Sequence, residues 1–205
     1  MTSTTGPIGR LCVLLHAADR TGPPMLARAF LRHLRANHPA VEVDIVTFRG
    51  GEMVPELAEL ATVTVLLHDH EAWDHAAPDP SRVAQLEALT GTLARPDAIL
   101  LVSISGGQCL PYLPDLGDAD GPPPVVSWVV EQGEDLHWLD APVAVAARTD
   151  RWLAGSATTR AELAERLADL LGAAPDVAVV PEFVERPAPV GPAEAAARRA
   201  ELVRG

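Results

Sequence analysis

Hydrophobic positions along the chain fall into short apolar runs separated by stretches with helical spacing. The runs lie at residues 11–16, 41–48, 62–67, 98–103, 125–130, 152–154 and 177–180; the second alternates and the third is rich in β-branched side chains. Unbroken runs such as 11–16 and 177–180 are what a parallel strand covered on both faces needs. Between the runs, Leu26, Phe30, Leu31 and Leu34 mark the apolar side of a helix over 25–36, and a short helix is expected over 54–60. Val83, Leu86, Leu89 and Leu93 stripe a helix over 82–94 that follows a cap at 78–81. Leu163, Leu167, Leu170 and Leu171 stripe one over 157–171, with Ser156 as its N-cap and Gly172 where it stops. Strands alternating with helices imply parallel pairing through right-handed crossovers. The pattern therefore predicts an α/β fold, a Rossmann-like doubly wound sheet of about seven mainly parallel strands with helices on both faces. Residues 1–185 form this domain, and residues 186–205 a proline-rich linker and a helix over 193–204.

In such a sheet the loops leaving the first and fourth strands flank the crevice where the strand order reverses. The first of them contains Thr21-Gly22-Pro23-Pro24. Gly22 permits a sharp turn and close backbone approach, and the helix N-terminus behind it points amides at an anion; the alternative is a tight strand-to-helix turn with no ligand. The fourth strand runs into Ser105-Gly106-Gly107, which should face Gly22 across the crevice or else form a flexible glycine loop. Glu131 leaves the carboxyl end of the fifth strand, as a cleft carboxylate or a solvated one. The principal cleft is expected at the carboxyl ends of strands one, four and five. Trp138 and Leu139 are expected to pack against the sheet.

The 205 residues carry a formal charge of −12, which argues against a nucleic-acid partner because such binders need a basic face. Hydrophobic content of 48% and charged content of 21% describe a globular domain, and no apolar run approaches the roughly 18 residues of a membrane span. With no signal peptide, the cytoplasm is the expected compartment. All 16 basic residues are Arg, so neither a P-loop lysine nor a Schiff-base lysine exists here. Cys12 and Cys109 have no metal or redox spacing and are expected to be buried free thiols. His68, His70 and His75 superficially resemble a metallo-hydrolase cluster, but His137 is the only later histidine, so solvated side chains are expected and no metal. Ser105 lacks the upstream glycine of a hydrolase elbow.

The segment Asp150-Arg-Trp-Leu-Ala-Gly-Ser156, its helix, and Val177-Ala-Val-Val-Pro-Glu-Phe-Val-Glu185 together resemble the end of the N-terminal lobe in retaining GT-B glycosyltransferases of the family 4, group 1 type. The resemblance covers roughly residues 11–185 and implies one half of a GT-B fold. It implies transfer of a sugar from a nucleotide-sugar donor to a sugar, small-molecule or lipid acceptor, with no metal or other cofactor. Thr21 and Gly22 correspond to the glycine-rich loop that approaches the donor diphosphate, with Pro23 where the family often has a second glycine. His68, Ser105, Gly106 and Gly107 would line the acceptor cleft. The fifth strand in these enzymes often ends His-Glu; here Val130 stands at the His position and Glu131 matches, making Glu131 the catalytic candidate. These enzymes hold the donor chiefly in a second lobe, whose core is expected to lie outside residues 1–205. The fragment alone is expected to be inactive and to bind nucleotide weakly, with the helix over 193–204 as the first element of that lobe or as a docked terminal helix. The rival reading is a stand-alone Rossmann-like binding or regulatory module, favoured by Val130 and by the missing lobe, as the Gly22 loop favours the transferase.

Overall fold

The computed structural model describes residues 7–68, 79–113, 121–131 and 147–181. The expectations placed on His70, His75, Trp138, Leu139, residues 182–185 and the helix over 193–204 lie outside these. In chain order the elements are β1 (Arg10–Ala17), α1 (Gly22–Asn37), β2 (Glu42–Arg49), α2 (Val54–Ala58), β3 (Thr62–Leu67), α3 (Pro80–Thr90), β4 (Ala98–Val102), a 3₁₀ helix (Ile104–Tyr112), β5 (Val125–Val129), β6 (Arg151–Ala154), α4 (Ala157–Leu171) and β7 (Val177–Val179). They build a seven-stranded sheet in the order β3-β2-β1-β4-β5-β6-β7. Every pair is parallel. This is the Rossmann-like fold expected from the sequence, and the order reverses between β1 and β4.

β1 shows why its residues form a central strand. Val13, Leu14 and Leu15 are each 0% exposed, so both faces of the strand are covered. Leu11, Val13 and Leu15 pack on one side with Leu26, Ala27 and Leu31 of α1 and Leu57 of α2. Cys12 and Leu14 pack on the other with Leu86 of α3 and with Cys109 and Tyr112 of the 3₁₀ helix. A third cluster joins Trp152, Leu163, Leu167 and Val177 under α4. That helix is bounded as its sequence implies. Ser156 Oγ accepts from the Thr159 amide at 3.0 Å, and Gly172, at φ 75°, closes the C-terminus by donating its amide to Ala168 O at 2.9 Å.

Four local expectations change. β7 is an edge strand and not a doubly covered one: Val177 is buried but Val179 is exposed. α3 stops at Thr90, whose hydroxyl donates to the Tyr112 carbonyl, with Gly91 as its C-cap, so Leu93 lies beyond the helix; Leu89 faces solvent. Leu171, on the last turn of α4, is also exposed. The glycine stretch after β4 is wound into the 3₁₀ helix. Among the described residues no helix is long and apolar enough to cross a membrane.

The burial difference along α4 sets an unequal cost for equal deletions. Leu163→Ala, at a 0% exposed site, should destabilise by about 2–5 kcal/mol. Leu171→Ala, at a 42% exposed site, should cost less than about 0.5 kcal/mol in urea unfolding.

Candidate functional site

Because all strands are parallel, their carboxyl ends share one edge, and the loops after β1 and β4 lie on either side of the reversal point. The loop after β1 is closed by an acid. Asp19 Oδ1 accepts from Thr21 Oγ at 2.6 Å and from the Thr21 amide at 3.4 Å. α1 begins Gly22-Pro23-Pro24, so two of its first three residues have no amide hydrogen, and the Met25 amide already donates to Thr21 O at 3.2 Å. The expected donor-phosphate loop at Thr21 and Gly22 is thereby narrowed to one backbone donor: Gly22 alone among the first three helical residues carries an amide hydrogen, and the Thr21 hydroxyl is bonded to Asp19. Nor is Gly22 a turn glycine. A Cβ there would meet nothing within 4 Å, and positive φ among the described glycines occurs at Gly121 and Gly172. The nearby cations are paired as well, since Arg20 and Arg28 both bind Glu56. The Arg28 guanidinium, hydrogen-bonded to that carboxyl, holds it below the usual carboxylate range, helped by the charge of Arg20.

The loop after β4 holds the most unusual backbone among the described residues. Ser103 has φ 74° and ψ 145°, the one non-glycine residue there with positive φ, and it is 2% exposed. Such a conformation costs about 1–3 kcal/mol and persists where surrounding contacts impose it. Here they do: its amide donates to Trp128 O at 2.9 Å, its carbonyl accepts from the Gly106 amide at 3.1 Å, and its Oγ accepts from the Ser105 amide at 3.2 Å. The Ser103 hydroxyl donates to Glu131 Oε1. The same oxygen accepts from the Ile104 amide at 3.1 Å, and Oε2 accepts from the Val130 amide at 3.1 Å. Glu131 is half-buried, so it is neither free in solvent nor extended alone from its strand; it bridges the ends of β4 and β5. Ser103 was not singled out by sequence reasoning, because a left-handed serine has no sequence signature.

The other candidates are not gathered here. Gly106 and Gly107 are buried, and a Cβ on Gly106 would lie 2.7 Å from Leu14 O. Gly106 and Gly107 therefore do not line an open crevice opposite Gly22, Gly106 lying directly on β1, while Ser105 is half-buried. His68 is exposed at the end of β3, two strands from β1 and so roughly 10 Å from it. The principal cleft was expected at the carboxyl ends, but the hollow of about 660 Å³ lies at the opposite edge of the sheet, lined by Arg10, Arg35, Glu42 and Asp44 among others. Its arginines are engaged, Arg10 with Glu42 and Asp44, and Arg35 with the carbonyls of Leu60 and Val41. Cys12 and Cys109 are buried free thiols, as expected. Burial, with the Asp44 charge second, pushes Cys12 up to about 12, and burial raises Cys109 too.

A parallel seven-stranded sheet reversing between β1 and β4 is the architecture of one half of a GT-B fold. No family model and no curated protein matches the chain. Among solved structures it is similar to an alpha-glucosyltransferase in complex with UDP and a 13-mer DNA containing a HMU base, at 12% identity and TM-score 0.52, covering 87% of this chain and 43% of that one. A similar alignment exists to an alpha-glucosyltransferase with UDP-glucose and DNA containing an abasic site, at 13% identity and TM-score 0.51, covering 85% and 42%. A third, an alpha-glucosyltransferase with UDP, aligns at 10% identity and TM-score 0.51, covering 84% and 43%. The chain thus spans less than half the length of these proteins. Their likeness is one of fold, and it is to glycosyltransferases generally, without singling out family 4. It also corrects the exclusion of nucleic acid drawn from the net charge, because two of these transferases were captured holding DNA.

Two measurements check this geometry. Ser103→Gly and Ser103→Ala both delete the hydroxyl, but only glycine adopts positive φ freely; the glycine variant should be the more stable by about 1 kcal/mol in denaturant unfolding. Gly106→Ala should cost about 1–3 kcal/mol through overpacking, whereas Gly22→Ala should change stability by less than about 1 kcal/mol.

Proposed function

We propose that this chain is the N-terminal, acceptor-side half of a cytoplasmic two-lobed glycosyltransferase of the retaining GT-B type, moving a sugar from a nucleotide-sugar donor to a hydroxyl-bearing acceptor. The observation that carries the reading is the alignment of 84–87% of this chain with 42–43% of each of three glucosyltransferase structures. One lobe's worth of sheet accounts for nearly all of the described residues. In this reading Glu131 is the catalytic carboxylate, acting at the reversal point from the end of β5. The donor diphosphate is held mainly by the second lobe, with the Gly22 amide as the contribution of this one. The engaged state of Thr21, Arg20 and Arg28 supports that division, because a diphosphate would find few open donors along this edge. Val130 at the family's His position supports the rival reading, a binding module without catalysis.

The test uses the full product of the coding sequence that contains these residues. It is supplied with a panel of nucleotide sugars and with sugar, lipid and DNA acceptors, and nucleoside diphosphate release is followed. Release with at least one donor is expected. Glu131→Gln should lower kcat by about 10²-fold or more while the unfolding midpoint moves little. A reading frame that closes at Gly205, with no second lobe co-purifying and no release from any donor, would return the chain to the binding-module reading.

A further inference from the structure

Glu131 is held by three neutral donors, and two of them come from the segment that begins at the left-handed residue. Among the described residues, Oε1 takes the Ser103 hydroxyl and the Ile104 amide, while Oε2 takes the Val130 amide alone. Oε1 is the anchored oxygen, therefore, and Oε2 is the one with a lone pair left to meet a substrate O–H. The backbone at Ser103 is what makes this possible. In ordinary extended geometry the chain would continue β4; at φ 74° it turns instead into the 3₁₀ helix, with the hydroxyl on Glu131 and Oγ also accepting from the Ser105 amide. The hydroxyl is thus oriented from both sides, since its acceptor role toward Ser105 leaves its one hydrogen for Glu131.

We propose that Ser103 is a positioning residue: its left-handed backbone aims the hydroxyl at Glu131 and fixes that carboxylate across the ends of β4 and β5, so that Oε2 is the working oxygen. The inference rests on Glu131 as the catalytic group.

The experiment compares Ser103→Gly with Ser103→Ala in two readouts. The first is the NMR signal of the Glu131 carboxyl carbon in this chain, which needs no substrate. Losing the hydroxyl donor should displace that signal from its wild-type position in both variants equally. The second is turnover in the full product of the coding sequence. There kcat should fall roughly tenfold in both variants with KM little changed, as expected for one lost hydrogen bond to a charged group. In a Glu131→Gln background, Ser103→Gly should have no further effect on kcat. A merely structural Ser103 gives a different result: the glycine variant, relieved of strain, would match the wild type in carboxyl signal and kcat while the alanine variant suffered. That outcome, or an unmoved signal in both variants, overturns the proposal. A wild type that transfers no sugar while its Glu131 signal still depends on Ser103 would instead refute the transferase reading and leave the Ser103–Glu131 linkage standing.

Discussion

The pairing of β1 with β4 is the constraint on which the rest of the structure depends. The two strands lie side by side in register from Leu11 with Ala98 to Leu14 with Leu101, although more than eighty residues separate them in sequence. β2 and β3 are thereby confined to one side of the sheet and β5, β6 and β7 to the other. Each parallel neighbour must be reached by a crossover, so all strands end on the same edge, and the two loops next to the reversal part company there. Neither face of β1 could remain open, since its inward residues on both sides are fully apolar.

Along that edge, acidic side chains tie the loops to one another. Asp19 closes the loop after β1 on Thr21, Glu56 of α2 gathers Arg20 and Arg28, and Glu131 joins the end of β5 to Ser103 and Ile104. At Glu131 the carboxylate satisfies the donors of Ser103 and Ile104, which are 2% and 1% exposed and would be costly to leave without a partner away from water; Thr21 and Arg20, at the other two acids, stay exposed. The same arrangement leaves few donors for an anion.

Much of the architecture could be read from the order of residues alone. The apolar runs located the strands, Ser156 and Gly172 bounded α4, and the strand–helix alternation implied the parallel sheet, because these signals are local: period, cap and turn chemistry act within a few residues. Glu131 was visible as a strand-end acid for the same reason. What only the tertiary structure decided involved contacts between distant segments. Leu89 and Leu171 match the helical period but face water, since burial depends on where the neighbouring sheet ends. Gly22, placed before two prolines, reads like a loop glycine and has open space around it, whereas Gly106 must lack a side chain because Leu14 O, of a strand far earlier in the sequence, lies against it. Ser103 looks like any serine at a strand end. Its left-handed backbone is imposed by hydrogen bonds with Trp128, Gly106 and Glu131, and a conformation held against the residue's own preference leaves no trace in the residue's identity.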